Sequence, residues 1–90
     1  MTILEKIKEQ NETIEALKGL WASLMPGAPV PTSQQLNTWL GMHSADNLLA
    51  AIQATAKKYR ILNNEMSKEW MLRYCSSVAN NLKVKQEVIQ

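Results

Sequence analysis

Length, composition and charge limit what this chain can be. Its 90 residues allow one domain with a modest core, and 46% hydrophobic against 20% charged residues is an ordinary globular balance. No apolar run approaches the roughly 18 residues that a membrane-spanning helix needs, and the polar start does not resemble a secretory signal. The single cysteine, Cys75, cannot form an intramolecular disulfide, which suits a reducing compartment. We therefore expect a cytoplasmic protein that has no membrane segment.

The charged residues are unevenly distributed along the chain. Residues 1–25 carry three lysines and four glutamates, a net charge of −1. Residues 26–90 carry seven basic and four acidic side chains, a net charge of +3. Any affinity for polyanions is therefore expected in the second part of the chain.

The first segment, Thr2 to about Met25, is predicted to be one helix with a heptad pattern. Its seam residues recur at alternating spacings of four and three: Ile3, Ile7, Gln10, Ile14, Leu17, Trp21 and Leu24. Gln10 either sets the register of a contact between two chains or belongs to a frayed, exposed first turn. A helix of this length is only marginally stable in water without tertiary partners. The seam therefore predicts docking on the chain's own domain, on a second copy or on a protein partner.

A proline-rich stretch, Pro26 to Pro31, is predicted to end this helix. Proline removes an amide donor and disfavours a helical residue before it, while Gly27 suits a turn. Three prolines in six residues favour a stiff spacer. The chain is thus divided into an N-terminal helix (1–25), a linker (26–31) and a three-helix module with a short tail (32–90).

The module opens with a short helix. Thr32 is the expected N-cap, with Gln35 as its capping-box partner, and Gly41 is the expected left-handed end. Ser44 caps the next helix, whose inward face carries Leu48, Ile52, Ala56 and Tyr59. The last helix begins at Asn63-Asn64 or at Ser67. Its predicted inward stripe recurs every four residues, at Met66, Trp70, Tyr74, Val78 and Leu82.

A basic cluster ends the central helix. Its members are Lys57, Lys58 and Arg60. Positive charges at a helix C-terminus interact favourably with the helix dipole, so one interpretation is an ordinary solvated helix end with no binding role. Tyr59 lies among them, and cations interleaved with an aromatic are typical of phosphate-contacting surfaces. The predicted nucleic-acid site consists of Lys57, Lys58, Tyr59, Arg60, Arg73, Tyr74, Lys83 and Lys85, with Tyr59 as the main stacking residue.

The chain lacks a pattern typical of a catalytic or metal site. His43 is the only histidine and Cys75 the only cysteine, so the ligands that a zinc site needs are missing. Neither a phosphate-binding glycine loop nor a paired set of catalytic residues can be argued from spacing. We expect a protein that is not an enzyme, with no cofactor and no small-molecule substrate. His43 is expected to be structural, and Cys75 to be a core residue.

Residues 31–83 open with Pro31-Thr32-Ser33, continue with Trp39-Leu40, and include a second helix with Leu49, Ile52 and Ala56. In these features they resemble the small helical module of the DnaD-like replication proteins of bacteria and phages. The family's last helix has a tyrosine, an isoleucine four residues on and a tryptophan four further. Here these positions are Tyr74, a conservative Val78 and Leu82, which departs from the family pattern.

This resemblance implies a helical domain that contacts DNA and other replication proteins, with Tyr74 and Val78 as the transferable positions. The family's usual winged-helix first domain is replaced here by the Thr2 to Met25 helix. A phage or mobile-element protein that pairs the module with an oligomerising helix would account for both features.

The sequence thus predicts an all-α domain of four helices. The first helix is expected either to pack across the other three or to be exchanged between the subunits of a homodimer. The preferred function is a non-enzymatic DNA-binding or DNA-replication accessory module. The alternative is a helical adaptor or inhibitor that binds a protein partner through the N-terminal helix.

Overall fold

The computed structural model describes residues 2–89, and the side chains of residues 2–86. Four helices make up this part of the chain: α1 (Ile3–Leu24), α2 (Ser33–Met42), α3 (Ala45–Ile61) and α4 (Lys68–Ile89). No strand occurs within residues 2–89, so the predicted all-α four-helix fold is confirmed. None of these helices is both long and apolar enough to cross a membrane.

Each helix begins at a hydroxyl residue that caps it. Thr2 accepts a hydrogen bond from the Glu5 backbone amide, and the Glu5 carboxylate accepts one from the Thr2 amide, which completes a capping box. In the other three helices the cap hydroxyl oxygen also accepts a hydrogen bond from a backbone amide. The pairs are Thr32 with Gln35 (3.1 Å), Ser44 with Asn47 (3.1 Å) and Ser67 with Trp70 (3.2 Å). Of the two predicted starts for the last helix, Ser67 is therefore the correct one.

The predicted end of α2 at Gly41 is wrong. The helix continues to Met42, and His43 ends it in an extended conformation while its backbone amide donates to the Trp39 carbonyl (2.8 Å). Ser44 caps α3 directly afterwards, so this corner needs no left-handed residue. Left-handed backbone occurs instead at Gly27 (φ 82°) after α1, and at Asn63 and Asn64 (φ 55° and 63°) after α3.

The Pro26 to Pro31 segment ends α1 as predicted and then packs against the core. The Trp21 indole N–H donates to the Pro29 carbonyl oxygen (3.0 Å), and the Pro31 side chain is fully buried. The second half of α1 contributes Ile14 and Leu17 to the same hydrophobic core as α2, α3 and α4. Within one chain, α1 thus packs on α2 and α3.

The helices α3 and α4 run antiparallel and form the largest interhelical contact. Two amide hydrogen bonds join Asn47, near the start of α3, to Gln86, near the end of α4 (3.0 and 3.2 Å), in keeping with this antiparallel direction. The predicted inward face of α3 is confirmed, because Leu48, Ile52, Ala56 and Tyr59 are all buried.

The predicted inward stripe of α4 is wrong by one residue. Met71, Cys75 and Ala79 are fully buried, whereas Trp70 is 53% exposed and Tyr74, Val78 and Leu82 are only partly buried. The fully buried contact includes small side chains, among them Ala51 of α3 and Ala79 of α4. Small residues let two helix backbones pack closely, so the large aromatics lie beside the contact and not within it.

Candidate functional site

The predicted basic residues divide between the two ends of the α3–α4 pair. Lys57, Lys58 and Arg60 lie at the end of α3, and Arg73 in the second turn of α4 lies near the same end because the helices are antiparallel. Lys83 and Lys85 lie toward the opposite end, close to the Asn47–Gln86 pair. Ten residues of helix separate Arg73 from Lys83 by about 15 Å. The eight predicted residues therefore do not form one compact patch.

Tyr59 cannot serve as the predicted stacking residue. Its side chain is only 7% exposed and belongs to the core, between α3 and the other helices. Trp70 has the accessibility that this role requires, since it is 53% exposed in the first turn of α4. It shares a surface depression with Arg73, Tyr74 and Ser77. Sequence reasoning missed Trp70 because it assigned this tryptophan to the core.

A groove of about 560 Å³ lies beside this depression, between α2 and α4. Arg73 and Ser77 line both features. The groove is lined by Gln35, Trp39, Met42, His43, Leu72, Arg73, Ser76, Ser77 and Asn80. No acidic residue is among these lining side chains, and Arg73 is the one with a permanent charge. We call the groove together with Trp70 and Tyr74 the α2–α4 surface; its charge favours anionic ligands.

His43 lines this groove and is itself buried. Its side chain is 6% exposed, and among the described residues neither ring nitrogen has a hydrogen-bond partner. Burial lowers the pKa of the imidazole, and the positive charge of Lys83 lowers it further. The neutral ring retains one donor and one acceptor, both unused.

This burial predicts that the free energy of unfolding depends on the protonation of His43. The folded-state pKa is below the unfolded value near 6.5, so the unfolded chain binds the proton more tightly. The stabilising contribution is therefore complete above pH 6.5 and is lost as the pH falls below it. Urea denaturation between about pH 8 and about pH 5.5 measures this loss. In His43→Leu the free energy of unfolding should change less with pH than in the wild type. The same pH dependence in both proteins would contradict the assignment of this loss to His43.

Cys75 behaves as the predicted core residue. It is fully buried in the α3–α4 contact, and burial raises the pKa of its thiol to about 11, although a hydrogen bond with the Thr55 side chain offsets part of this. A thiol with such a pKa stays protonated at neutral pH, and the thiolate is the nucleophilic form. The side chain therefore contributes packing and not reactivity.

The predicted interface along α1 is divided by the fold. Ile14, Leu17 and Trp21 are buried in the chain's own core, and Leu24 is partly buried. Ile3 and Leu4 are 78% exposed and Ile7 is 51% exposed, so these three form an apolar patch that we call the α1 patch. The Gln10 side-chain amide donates to Asn37 Oδ1 on α2, so its partner lies in the same chain. Of the apolar residues in the predicted seam, Ile3 and Ile7 are the ones that remain largely exposed and available to another molecule.

Comparison with protein-family models, with curated proteins and with solved structures finds no match to this chain. The DnaD-like resemblance of residues 31–83 therefore stays a prediction.

Proposed function

We propose that the protein is a non-enzymatic module that binds single-stranded DNA through the α2–α4 surface, as a replication accessory protein would. The observation that carries this proposal is the exposed Trp70 beside Arg73, on a surface whose groove has no acidic lining residue. Proteins that bind single strands combine aromatic side chains, on which bases stack, with cations that contact the phosphates.

Stacking on Trp70 favours a single strand over a duplex. A base in a duplex is already stacked between its neighbours, whereas an unpaired base can place its face on an exposed indole. Tyr74 lies one helical turn from Trp70 and is partly exposed, so it extends the aromatic surface. The DnaD-like resemblance, which also points to Tyr74, favours replication as the process.

Phosphate contacts are assigned to Arg73 first. Lys57, Lys58 and Arg60 add positive charge at the same end of the α3–α4 pair, and Lys83 adds it further along α4. Because each neutralised phosphate releases counterions, affinity should fall steeply with added salt. An affinity that does not change with salt would contradict DNA binding.

Trp70→Ala is expected to weaken binding to single-stranded DNA by roughly 5- to 150-fold, since stacking one base contributes about 1–3 kcal/mol. Fluorescence anisotropy with a labelled oligonucleotide at low salt measures the change. Trp70→Phe should retain part of the affinity because it keeps an aromatic face. Wild-type affinity in Trp70→Ala would remove this residue from the site. Circular dichroism checks that both variants are folded.

The second candidate function, a helical adaptor, is favoured by the α1 patch. Large apolar side chains exposed together on one helix are typical of surfaces that contact another protein. The flanking charges are of both signs, with Lys6 and Lys8 placed between Glu5 and Glu9. Such a pattern can pair with itself across a two-fold axis, so a second copy of the chain is the partner we propose.

Self-association is tested by the double substitution Ile3→Asp and Ile7→Asp. Light scattering over a range of concentrations should show dimers for the wild type and monomers for the variant, because a charge buried in the interface is costly. Ile61→Asp is the matched control, since Ile61 is 63% exposed on α3 and outside the patch. A wild type that stays monomeric at every concentration contradicts the dimer.

A further inference from the structure

We infer that the α2–α4 groove is a pocket for one unstacked nucleobase. The inference rests on the proposed function in that the base would belong to the bound strand, but the pocket can be tested separately. Arg73 lines both the groove and the depression around Trp70, so it connects the proposed pocket with the proposed stacking residue. A phosphate at Arg73 would place one base in the groove and its neighbour on the indole.

The chemistry of the groove fits a base better than it fits a bare phosphate. Its volume of about 560 Å³ lies within the roughly 300–1,000 Å³ typical of small-ligand sites. Trp39, Met42 and Leu72 provide apolar contacts for a ring. Gln35 and Asn80 provide carboxamides, each with donors and an acceptor. The edge of a base presents both donors and acceptors, whereas a phosphate presents acceptors.

His43 is an independent observation that points to a ligand. Buried polar groups are nearly always hydrogen-bonded, yet in the described part of the chain both ring nitrogens of this buried imidazole lack a partner. Its neighbour Met42 lines the same groove and is 53% exposed. A methionine side chain has three rotatable bonds, so it can move to admit a ring that would then hydrogen-bond to the imidazole.

The first test is an NMR titration of the full chain with dAMP, dCMP, dGMP and dTMP. The ring signals of His43 are unambiguous because it is the only histidine. At least one nucleotide should shift these signals, and inorganic phosphate at the same concentration should not. If none of the four nucleotides moves them, or if phosphate moves them equally, the pocket is overturned.

The second test compares two neighbouring exposed residues of α4. Asn80→Leu removes a carboxamide from the groove, whereas Asn81→Leu makes the same change at a position that does not line it. Loss of one hydrogen bond should weaken nucleotide and oligonucleotide binding about three- to tenfold in Asn80→Leu. Asn81→Leu should bind like the wild type. Equal affinities of the two variants would overturn the pocket.

The two proposals fail in different ways. In the first case, the affinity for an oligonucleotide depends on Trp70 but does not change with Asn80→Leu or with removal of any one base. The single-strand proposal then stands and the pocket is overturned. If oligonucleotides do not bind while a mononucleotide still shifts His43, single-strand binding is overturned and the pocket is supported as a nucleotide site.

Discussion

Trp21→Ala is expected to lower the free energy of unfolding by about 3–5 kcal/mol, the usual cost of truncating a large buried aromatic to alanine. The Trp21 side chain is 1% exposed, and its indole N–H donates to the Pro29 carbonyl oxygen. Its loss would leave a cavity where α1 meets the core and an unpaired carbonyl in the linker. Small domains have a total stability of about 5–15 kcal/mol, so this loss is a large fraction of the whole and the variant should unfold at a clearly lower urea concentration than the wild type.

Urea denaturation of the variant, followed by circular dichroism, measures this loss. Leu4→Ala is the control in the same helix, and it should change stability by no more than about 0.5 kcal/mol because Leu4 is highly exposed. A cost for Trp21→Ala below about 1 kcal/mol would show that α1 does not pack on the core as described.

Met71→Ala is expected to cost about 2–5 kcal/mol, whereas Trp70→Ala should change the free energy of unfolding by only about 0.5 kcal/mol. The two residues are neighbours in sequence, but Met71 is fully buried in the α3–α4 contact and Trp70 is half exposed. Thermal or urea denaturation of both variants tests which face of α4 packs on α3. The opposite order of effects would mean that the stripe predicted from the sequence is the correct one.

This pair of variants also bears on the proposed function. If Trp70→Ala is as stable as the wild type, its loss of DNA affinity can be attributed to the missing indole and not to unfolding. A core tryptophan would not allow that separation, because its removal would alter the fold and the binding together.

The candidate site could be predicted only in part. Arg73 and Tyr74 were in the predicted set and do lie together on α4, beside the groove. Tyr59 was assigned both to the inward face of α3 and to a stacking role, and its burial is compatible only with the first. The local sequence predicts neither the groove nor the lack of hydrogen-bond partners at the His43 ring nitrogens. Both arise where α2 and its C-terminal corner meet α4.

The number of helices, the caps of α2 and α3 and the ends of α1 and α3 followed from the sequence alone. These features depend on hydrogen bonds and backbone preferences within a few residues, as at Thr32 and Ser44. The tertiary structure decided which face of α4 is buried. The series Trp70-Tyr74-Val78 and Met71-Cys75-Ala79 have the same four-residue spacing, and only close packing against the small side chains of α3 distinguishes them. That choice exposes Trp70, and the antiparallel pairing of α3 and α4 separates the basic residues into two groups.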